Sequence, residues 1–154
     1  MSIARRLRTI VPAFAVVATA WLADGAHPAV GSWNIEGFQV IRQETAVQSE
    51  SQAVELTDEL VFAGDHSFHS NGFAGRWKQK SNGISADIRN SFANSLVMSG
   101  ATHVVAKKAR FYKVAVIPGV AIDGKLDAKA TFRSLGVKTR FEAFTVFAGE
   151  PAGG

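Results

Sequence analysis

Apolar and polar residues alternate along most of this chain, which is the pattern of β-strands that have one buried face. The clearest example is residues 84–89, where Ile84, Ala86 and Ile88 share one face and polar residues fill the positions between them. A strand of this kind packs one face on a core and exposes the other to water. The pattern therefore predicts a protein built from antiparallel strands.

Eight segments with this pattern are separated by turns rich in glycine, asparagine and aspartate. Residues 91–99 break the pattern, because Phe92, Leu96 and Ser99 fall on one face of a helix, and we expect a short helix or a wide turn there. The polar stretch 43–53 fits either a mobile loop or the ends of two long strands. The eight predicted strands cover residues 32–42, 54–62, 67–70, 75–80, 84–89, 102–116, 120–134 and 137–147.

Apolar residues change phase within the first predicted strand, around Gly37. Trp33 and Ile35 point to one side, whereas Phe38 and Val40 fall in the other phase. One extra residue at a glycine would produce such a change, so we predict a β-bulge at Gly37.

The last predicted strand becomes apolar on both faces towards its end, where Phe144 and Val146 join the otherwise charged face. A strand of this kind either closes against the first strand or meets a partner. In the strand before it, Asp123 and Gly124 indicate a bulge or a turn.

Eight consecutive antiparallel strands with short turns predict an all-β fold, a single up-and-down barrel rather than a sandwich. Closing the sheet removes the strand edges that so many long strands would otherwise expose. The interior of a barrel of this size is either filled by side chains or holds one small ligand. We place the barrel and its one short helix at residues 26–150, followed by a tail at 151–154.

The N-terminus has the pattern of a secretory signal peptide. Three arginines precede an apolar run at residues 9–17, and Ala20 and Gly25 are possible cleavage positions. An N-terminal membrane anchor or a buried helix is the alternative, but the run contains Pro12 and is shorter than the ~20 residues that a span needs. We therefore assign residues 1–25 to a signal peptide and leader, and expect export to the periplasm or the extracellular space.

Cleavage would change the meaning of the positive charge of the chain. The whole chain has 17 basic and 13 acidic residues, a net charge of +4. Loss of residues 1–20 removes Arg5, Arg6 and Arg8 and leaves 14 basic residues against 13 acidic ones, a net charge of +1. So small a charge gives no basis for a nucleic-acid partner. We expect contact with a membrane only through the signal peptide, and the sequence does not define an oligomeric state.

The first strand opens with Gly31-Ser32-Trp33, and the same glycine–tryptophan spacing recurs at Gly75-Arg76-Trp77. With the hairpins of an exported chain, these motifs resemble the lipocalin and wider calycin group over residues 31–147. Residues 60–68 are similar to the middle hairpins of bacterial lipocalin-like domains. The resemblance implies that Trp33 plugs the closed end of the barrel.

Two features depart from the lipocalin pattern. No long helix follows the last predicted strand, and no clear arginine-closing motif is present. Arg140 would either reach the Trp33 ring as a cation–π contact or lie solvated on the outside. The structural motif that the resemblance assigns consists of Gly31, Trp33, Gly75 and Arg140.

A lipocalin-like barrel would bind a small hydrophobic or amphipathic molecule, including a lipid, in an open cavity. Inward-facing apolar residues would form the wall of that cavity. These residues are Phe62, Phe68, Trp77, Ile88, Phe132 and Phe141.

No catalytic, cofactor or metal site is predicted. The chain has no Gly-x-Ser-x-Gly turn, no phosphate-binding loop and no dinucleotide fingerprint. His66 and His69 lie near Asp65, but residues three apart in a strand point to opposite faces, and a metal site needs three or four convergent ligands. We therefore expect neither an enzyme nor a metalloprotein.

A basic cluster in the sixth predicted strand has two interpretations. It consists of Lys107, Lys108, Arg110 and Lys113, with Phe111 and Tyr112 among them. It would form either a patch for an anionic lipid headgroup or sugar acid, or the ordinary outer face of a strand, and we favour the second.

Three functional classes remain open besides the carrier. The first is a packed, non-catalytic barrel that acts as a structural or protein-interaction domain of the cell envelope. The second is a small outer-membrane β-barrel, which would be apolar outside and polar inside. The third is an enzyme on the same barrel, similar in shape to allene oxide cyclase-like or dirigent-like proteins. Only the predicted fold supports this class, and a fold does not determine a function.

We expect the protein expressed with its leader to lose that leader. Mass spectrometry of the purified protein should give a mature chain beginning after Ala20 or Gly25. An intact N-terminus would contradict the assignment of a cleaved signal peptide.

Overall fold

A computed structural model describes residues 27–153 of the chain. The predictions for the signal peptide and leader at residues 1–25 lie outside the described residues, as does the last residue of the tail.

The described chain is an all-β barrel with one short helix, which confirms the predicted fold class. Eight antiparallel strands follow one another around a closed ring, and the last pairs with the first. The elements are β1 Gly31–Glu44, β2 Ser49–Phe62, β3 Ser67–His69, β4 Ala74–Lys80, β5 Gly83–Asp87, α1 Arg89–Met98, β6 Thr102–Ile117, β7 Ala121–Ser134 and β8 Val137–Pro151.

Several strands are longer than the sequence indicated. The polar stretch at 43–53 forms the ends of β1 and β2, joined by a tight turn in which the Thr45 N–H donates to the carbonyl oxygen of Gln48 at 2.8 Å. β8 runs past Phe147 to Pro151, because its last residues still pair with β1, where Pro151 lies opposite Trp33. The stretch 43–53 therefore matches the alternative of two long strand ends. At the end of β8, Gly149 and Pro151 concealed regular strand, because both residue types are uncommon within strands.

The predicted bulge at Gly37 is wrong. The register of β1 runs through Gly37 without a shift against both β2 and β8. Trp33 and Ile35 are buried inside, whereas Phe38 and Val40 are exposed outside. The apolar residues change phase because the outer face of β1 is itself apolar here, so no extra residue is needed.

Gly37 instead allows close approach between strands. It lies opposite Phe147 of β8, and Phe147 lies opposite Gly124 of β7. A Cβ on Gly37 would overlap the carbonyl oxygen of Val146, and one on Gly124 would lie 2.8 Å from the end of the Phe147 ring. Glycine at such positions is typical of a barrel corner, where a neighbouring aromatic ring covers the bare backbone. We call Gly37, Phe147 and Gly124 the glycine corner.

The bulge predicted at Asp123 and Gly124 is also wrong for the pairing of β7 with β8, which is continuous there. The irregularity lies on the facing strand β6, between Tyr112 and Ala115. Lys113, inside that interval, has a φ of 51°. The extra residue is therefore supplied by the partner strand rather than by the glycine that suggested it.

The two ends of the barrel differ. At the tryptophan end, where Trp33 lies, all eight strands contribute to the wall. β3, β4 and β5 have only 3, 7 and 5 residues, while the other strands have 14 to 16. Towards the open end, where the β1–β2 turn lies, the wall therefore loses its short strands. α1 packs beside β6 on that side.

We expect Gly37→Ala to destabilise the barrel by about 2 kcal/mol or more, because the added Cβ meets neighbouring backbone that cannot move aside cheaply. Gly64→Ala is the matched control, since a Cβ there meets nothing within 4 Å. Urea unfolding of both variants measures the difference. Equal stability of the two would show that the glycine corner is not a tight contact.

Candidate functional site

The interior at the tryptophan end is filled by a continuous chain of aromatic rings. Trp77 contacts Phe62 at a centroid distance of 5.8 Å, and Phe62 contacts Phe68 at 5.0 Å. Phe68 contacts Phe111 at 5.0 Å, and Phe111 contacts Phe147 at 5.8 Å. These rings come from five different strands, β4, β2, β3, β6 and β8, so the chain crosses the barrel from wall to wall.

The six residues of the predicted ligand wall lie in two different parts of the barrel interior. Phe62, Phe68 and Trp77 belong to the filled chain of rings, and Ile88 and Phe132 are buried as well. Phe132 and Phe141 lie further towards the open end, where Phe132 is opposite Thr139 and Phe141 is opposite Gln43.

Phe141 contacts the ring of Phe92, a residue of α1, at 5.7 Å, and Phe92 in turn contacts Phe73 at 6.1 Å. A side chain of the helix therefore occupies the space beside this part of the predicted wall. Binding of a small molecule by the six residues stays a prediction.

Three residues of the predicted structural motif, Gly31, Trp33 and Gly75, occupy positions that the backbone of the barrel requires. Trp33 is buried, and its indole N–H donates to the carbonyl oxygen of Ala29 at 2.9 Å. Gly31 has a φ of 135°, which favours glycine. A Cβ on Gly75 would overlap the carbonyl oxygen of Asp87 on the neighbouring strand.

Of the two alternatives for Arg140, the structure has the exposed side chain and not the contact with Trp33. The register of β8 places Arg140 opposite Glu44, at the open end, whereas Trp33 lies opposite Pro151. Arg140 donates to the Glu44 carboxylate at 3.1 Å and is largely exposed. The sequence order of the strands does not show that Arg140 and Trp33 lie at opposite ends of the barrel, because their separation depends on the pairing register of β1 with β8.

His66, in the turn between β2 and β3, and His69, at the end of β3, do not converge on a metal. The His66 ring stacks on Trp77 at 4.5 Å. The Asp65 carboxylate accepts hydrogen bonds from the Ser67 hydroxyl at 2.6 Å and the Ser67 N–H at 2.9 Å, and these bonds lower the pKa of Asp65. Between residues 27 and 153, no group of three or more His, Cys, Asp or Glu residues could hold a metal ion.

The basic cluster of β6 is partly neutralised on the outer face. Lys108 and Arg110 lie 3.2 Å and 3.4 Å from the two carboxylate oxygens of Asp127. The Arg110 guanidinium also lies 4.7 Å from the centre of the Tyr112 ring. These contacts support the ordinary outer face of a strand.

An apolar patch lies on the outer surface at the seam where β1 meets β8. Phe38 pairs with Val146, and Val40 pairs with Phe144. Their exposed fractions are 65%, 53%, 47% and 42% in that order. We call these four residues the seam quartet. The sequence pattern showed them as a change of phase on β1 and as a second apolar face on β8, but not as one patch.

Ionic side chains border the seam quartet on the side of the open end. Glu44 lies 2.9 Å from Arg42 and 3.1 Å from Arg140. Glu142 lies opposite Arg42 in the β1–β8 register. The quartet is therefore an apolar island beside a network of surface charges.

On its other side the seam quartet opens into a groove of about 570 Å³ on the outer face of the barrel. Phe38 and Val146 line this groove together with carboxylates on β1, β2 and β7 and lysines on β6 and β7. Although Asp123 is exposed as a whole, partial burial of its carboxyl group in this region raises its pKa. The charged lining residues are Glu36, Glu55, Lys113, Asp123 and Lys125.

No family model and no curated protein matches the chain. Among solved structures, the chain is similar to Ail, the attachment invasion locus protein of Yersinia pestis, with 10% sequence identity and a TM-score of 0.31. The match covers 79% of this chain and 98% of that one, but the score is too low to support a conclusion about function. These comparisons do not support membership of the lipocalin or calycin group. No helix within residues 27–153 is long and apolar enough to cross a membrane.

We expect Phe111→Ala to destabilise the protein by about 3–5 kcal/mol, because it removes a ring from the middle of the filled chain and leaves a cavity. Phe144→Ala is the control with the same change of side chain on the outer face, and should alter stability by less than about 0.5 kcal/mol. Urea unfolding of both variants gives the comparison. A small effect at Phe111 would indicate a loosely filled interior.

Proposed function

We propose that this protein is an exported, non-catalytic barrel whose interior is packed at the tryptophan end and which acts through contact of its outer surface with another protein of the cell envelope. The observation on which the proposal depends is the contrast between the two faces of the sheet. Aromatic rings fill the inside at the tryptophan end, while the seam quartet leaves four large apolar side chains on the outside.

The packed interior favours this function over that of a small-molecule carrier. A carrier needs a cavity that is open before its ligand arrives. Phe62, Phe68 and Trp77 are at most 3% exposed, and their rings already contact other rings of the chain. A ligand at this level of the barrel would have to displace those contacts.

The distribution of charge favours a water-facing barrel over a membrane-spanning one. A membrane barrel has an apolar outer band ~25 Å tall and a polar interior. The seam quartet covers two outward positions on each of two strands, roughly 7 Å at ~3.4 Å per residue. The neighbouring strand β7 has a charged outer face, formed by Asp123, Lys125, Asp127, Lys129 and Arg133.

The seam quartet has the composition of a protein contact. Single exposed apolar residues are ordinary, but four contiguous ones form a patch of the kind that marks interaction sites. An apolar centre bordered by charged residues is also the usual anatomy of a protein interface. Arg42, Glu44 and Arg140 supply such a border on one side.

We expect a photoreactive phenylalanine in place of Phe144 to form a discrete covalent adduct with a protein when the leader-bearing chain is expressed in cells and irradiated. The same group in place of Lys129, exposed on the outer face of β7, should form none. The mature protein should also remain in solution without detergent, and its native mass should contain no added small molecule.

Two results would contradict the proposal. A need for detergent, with adducts to lipid at both positions, would identify a membrane barrel. A stoichiometric small-molecule mass on the native protein, with no protein adduct at position 144, would identify a carrier.

A further inference from the structure

β2 has one edge without a strand partner over most of its length. β3 pairs with β2 only at Val61 and Phe62, while β1 pairs with β2 from end to end. In residues 49–60 every second residue directs its N–H and C=O towards β1, and the residues between them direct theirs to the other side, where no strand pairs with them within the described chain. Near the end of this stretch, the Asn71 N–H donates to the Asp58 carboxylate at 2.9 Å. We call the unpaired side of residues 49–60 the β2 edge.

The faces of β2 beside this edge are also uncovered. Residues 49–55 are all exposed, although Glu50, Gln52 and Val54 occupy inward positions. Val54 is 36% exposed, and Leu56, the next inward residue, is only partly buried. No strand or helix between residues 27 and 153 packs extensively along β2 except β1 and β3. An open strand edge with unpartnered apolar side chains on its inner face can accept one more strand.

The negative charge of β2 favours the addition of a strand that carries positive charge. The strand contains Glu50, Glu55, Asp58 and Glu59 and no basic residue. Glu55 and Glu59 both point outwards, and neither forms an ion pair within the described residues. Residues directly opposite one another on neighbouring strands share a face, where opposite charges attract and like charges repel.

We propose that the β2 edge binds an extended segment of a partner protein, in which basic residues alternate with apolar ones. The segment would add to the sheet beside β2 through main-chain hydrogen bonds. Its basic side chains would lie on the outer face beside Glu55 and Glu59, and its apolar side chains on the inner face beside Val54 and Leu56. The β2 edge borders the seam quartet, since Glu55 lies opposite Phe38. Strand addition uses the backbone of β2 and not the quartet, so either proposal can fail without the other.

A second copy of the chain is the less favourable occupant. Pairing two β2 edges would bring the carboxylates of both copies together on the same sheet, and like charges across a strand pair are destabilising. The same carboxylates would attract lysine or arginine. The acidic edge therefore discourages self-association while leaving the backbone groups available.

The test uses the mature protein and a fluorescent nonapeptide of alternating lysine and valine, with binding measured by fluorescence anisotropy at low salt. An alternating glutamate–valine peptide should bind at least about tenfold more weakly, since it reverses every charge. Binding of the basic peptide should weaken as salt is raised.

Backbone methylation distinguishes strand addition from a purely ionic contact. In an added strand only every second peptide N–H faces β2. Two further peptides are therefore compared, one N-methylated at each lysine and the other at each valine. We expect one of them to lose binding and the other to retain it. Equal binding by both, or equal loss, would overturn strand addition.

Glu55→Lys should weaken binding of the lysine–valine peptide about fivefold or more, because it replaces a cross-strand attraction by a repulsion. Glu142→Lys is the matched control, with the same change of charge on the outer face of β8, two strands away. Thermal unfolding confirms that both variants are folded. Absence of binding, an equal effect of both variants, or a dimer of the unmodified protein that the peptide dissociates would overturn the proposal.

Discussion

The close approach of three strands at the glycine corner is the contact on which the rest of the structure depends. Gly37 and Gly124 lack the Cβ atoms that would keep β1 and β7 away from Phe147 of β8. Phe147 can therefore point inwards and meet Phe111, the next ring in the chain that crosses the barrel. The same alternation turns Phe38 and Val146, one position away, to the outside. The chain of rings at the tryptophan end and the exposed patch thus follow from a single register.

The unequal lengths of the strands account for the second surface. The strands from β3 to β5 are short, so they close the ring only near the tryptophan end, where β3 pairs with β2 at Val61 and Phe62. Beyond these residues β2 continues beside β1 without a neighbour on its other side. α1 fills part of the space left by the short strands, where its Phe92 contacts Phe141. The carboxylates of β2 then determine which segment can approach the unpaired edge.

Alternation was enough to predict the strands, their order and the barrel, because each depends on local pattern and short turns. Alternation does not show which face of a strand is buried where residues on both faces are apolar. The outward pair Phe38 and Val40 therefore has the sequence pattern of a bulge at Gly37, although no bulge is present. Nor does alternation supply the pairing register, which separates Arg140 from Trp33. The unpaired edge of β2 could not be predicted for the same reason. The sequence of one strand indicates which residues share a face, but not where a neighbouring strand ends.

The most direct test of the packing at the tryptophan end is a nuclear Overhauser experiment on phenylalanine-labelled protein in buffer without detergent. We expect strong contacts between the ring protons of Phe68 and Phe111, whose centroids lie 5.0 Å apart, and between those of Phe111 and Phe147. The sample should need no ligand to show them. Absence of these contacts, or contacts from the three rings to a bound small molecule or to detergent instead, would contradict a filled interior.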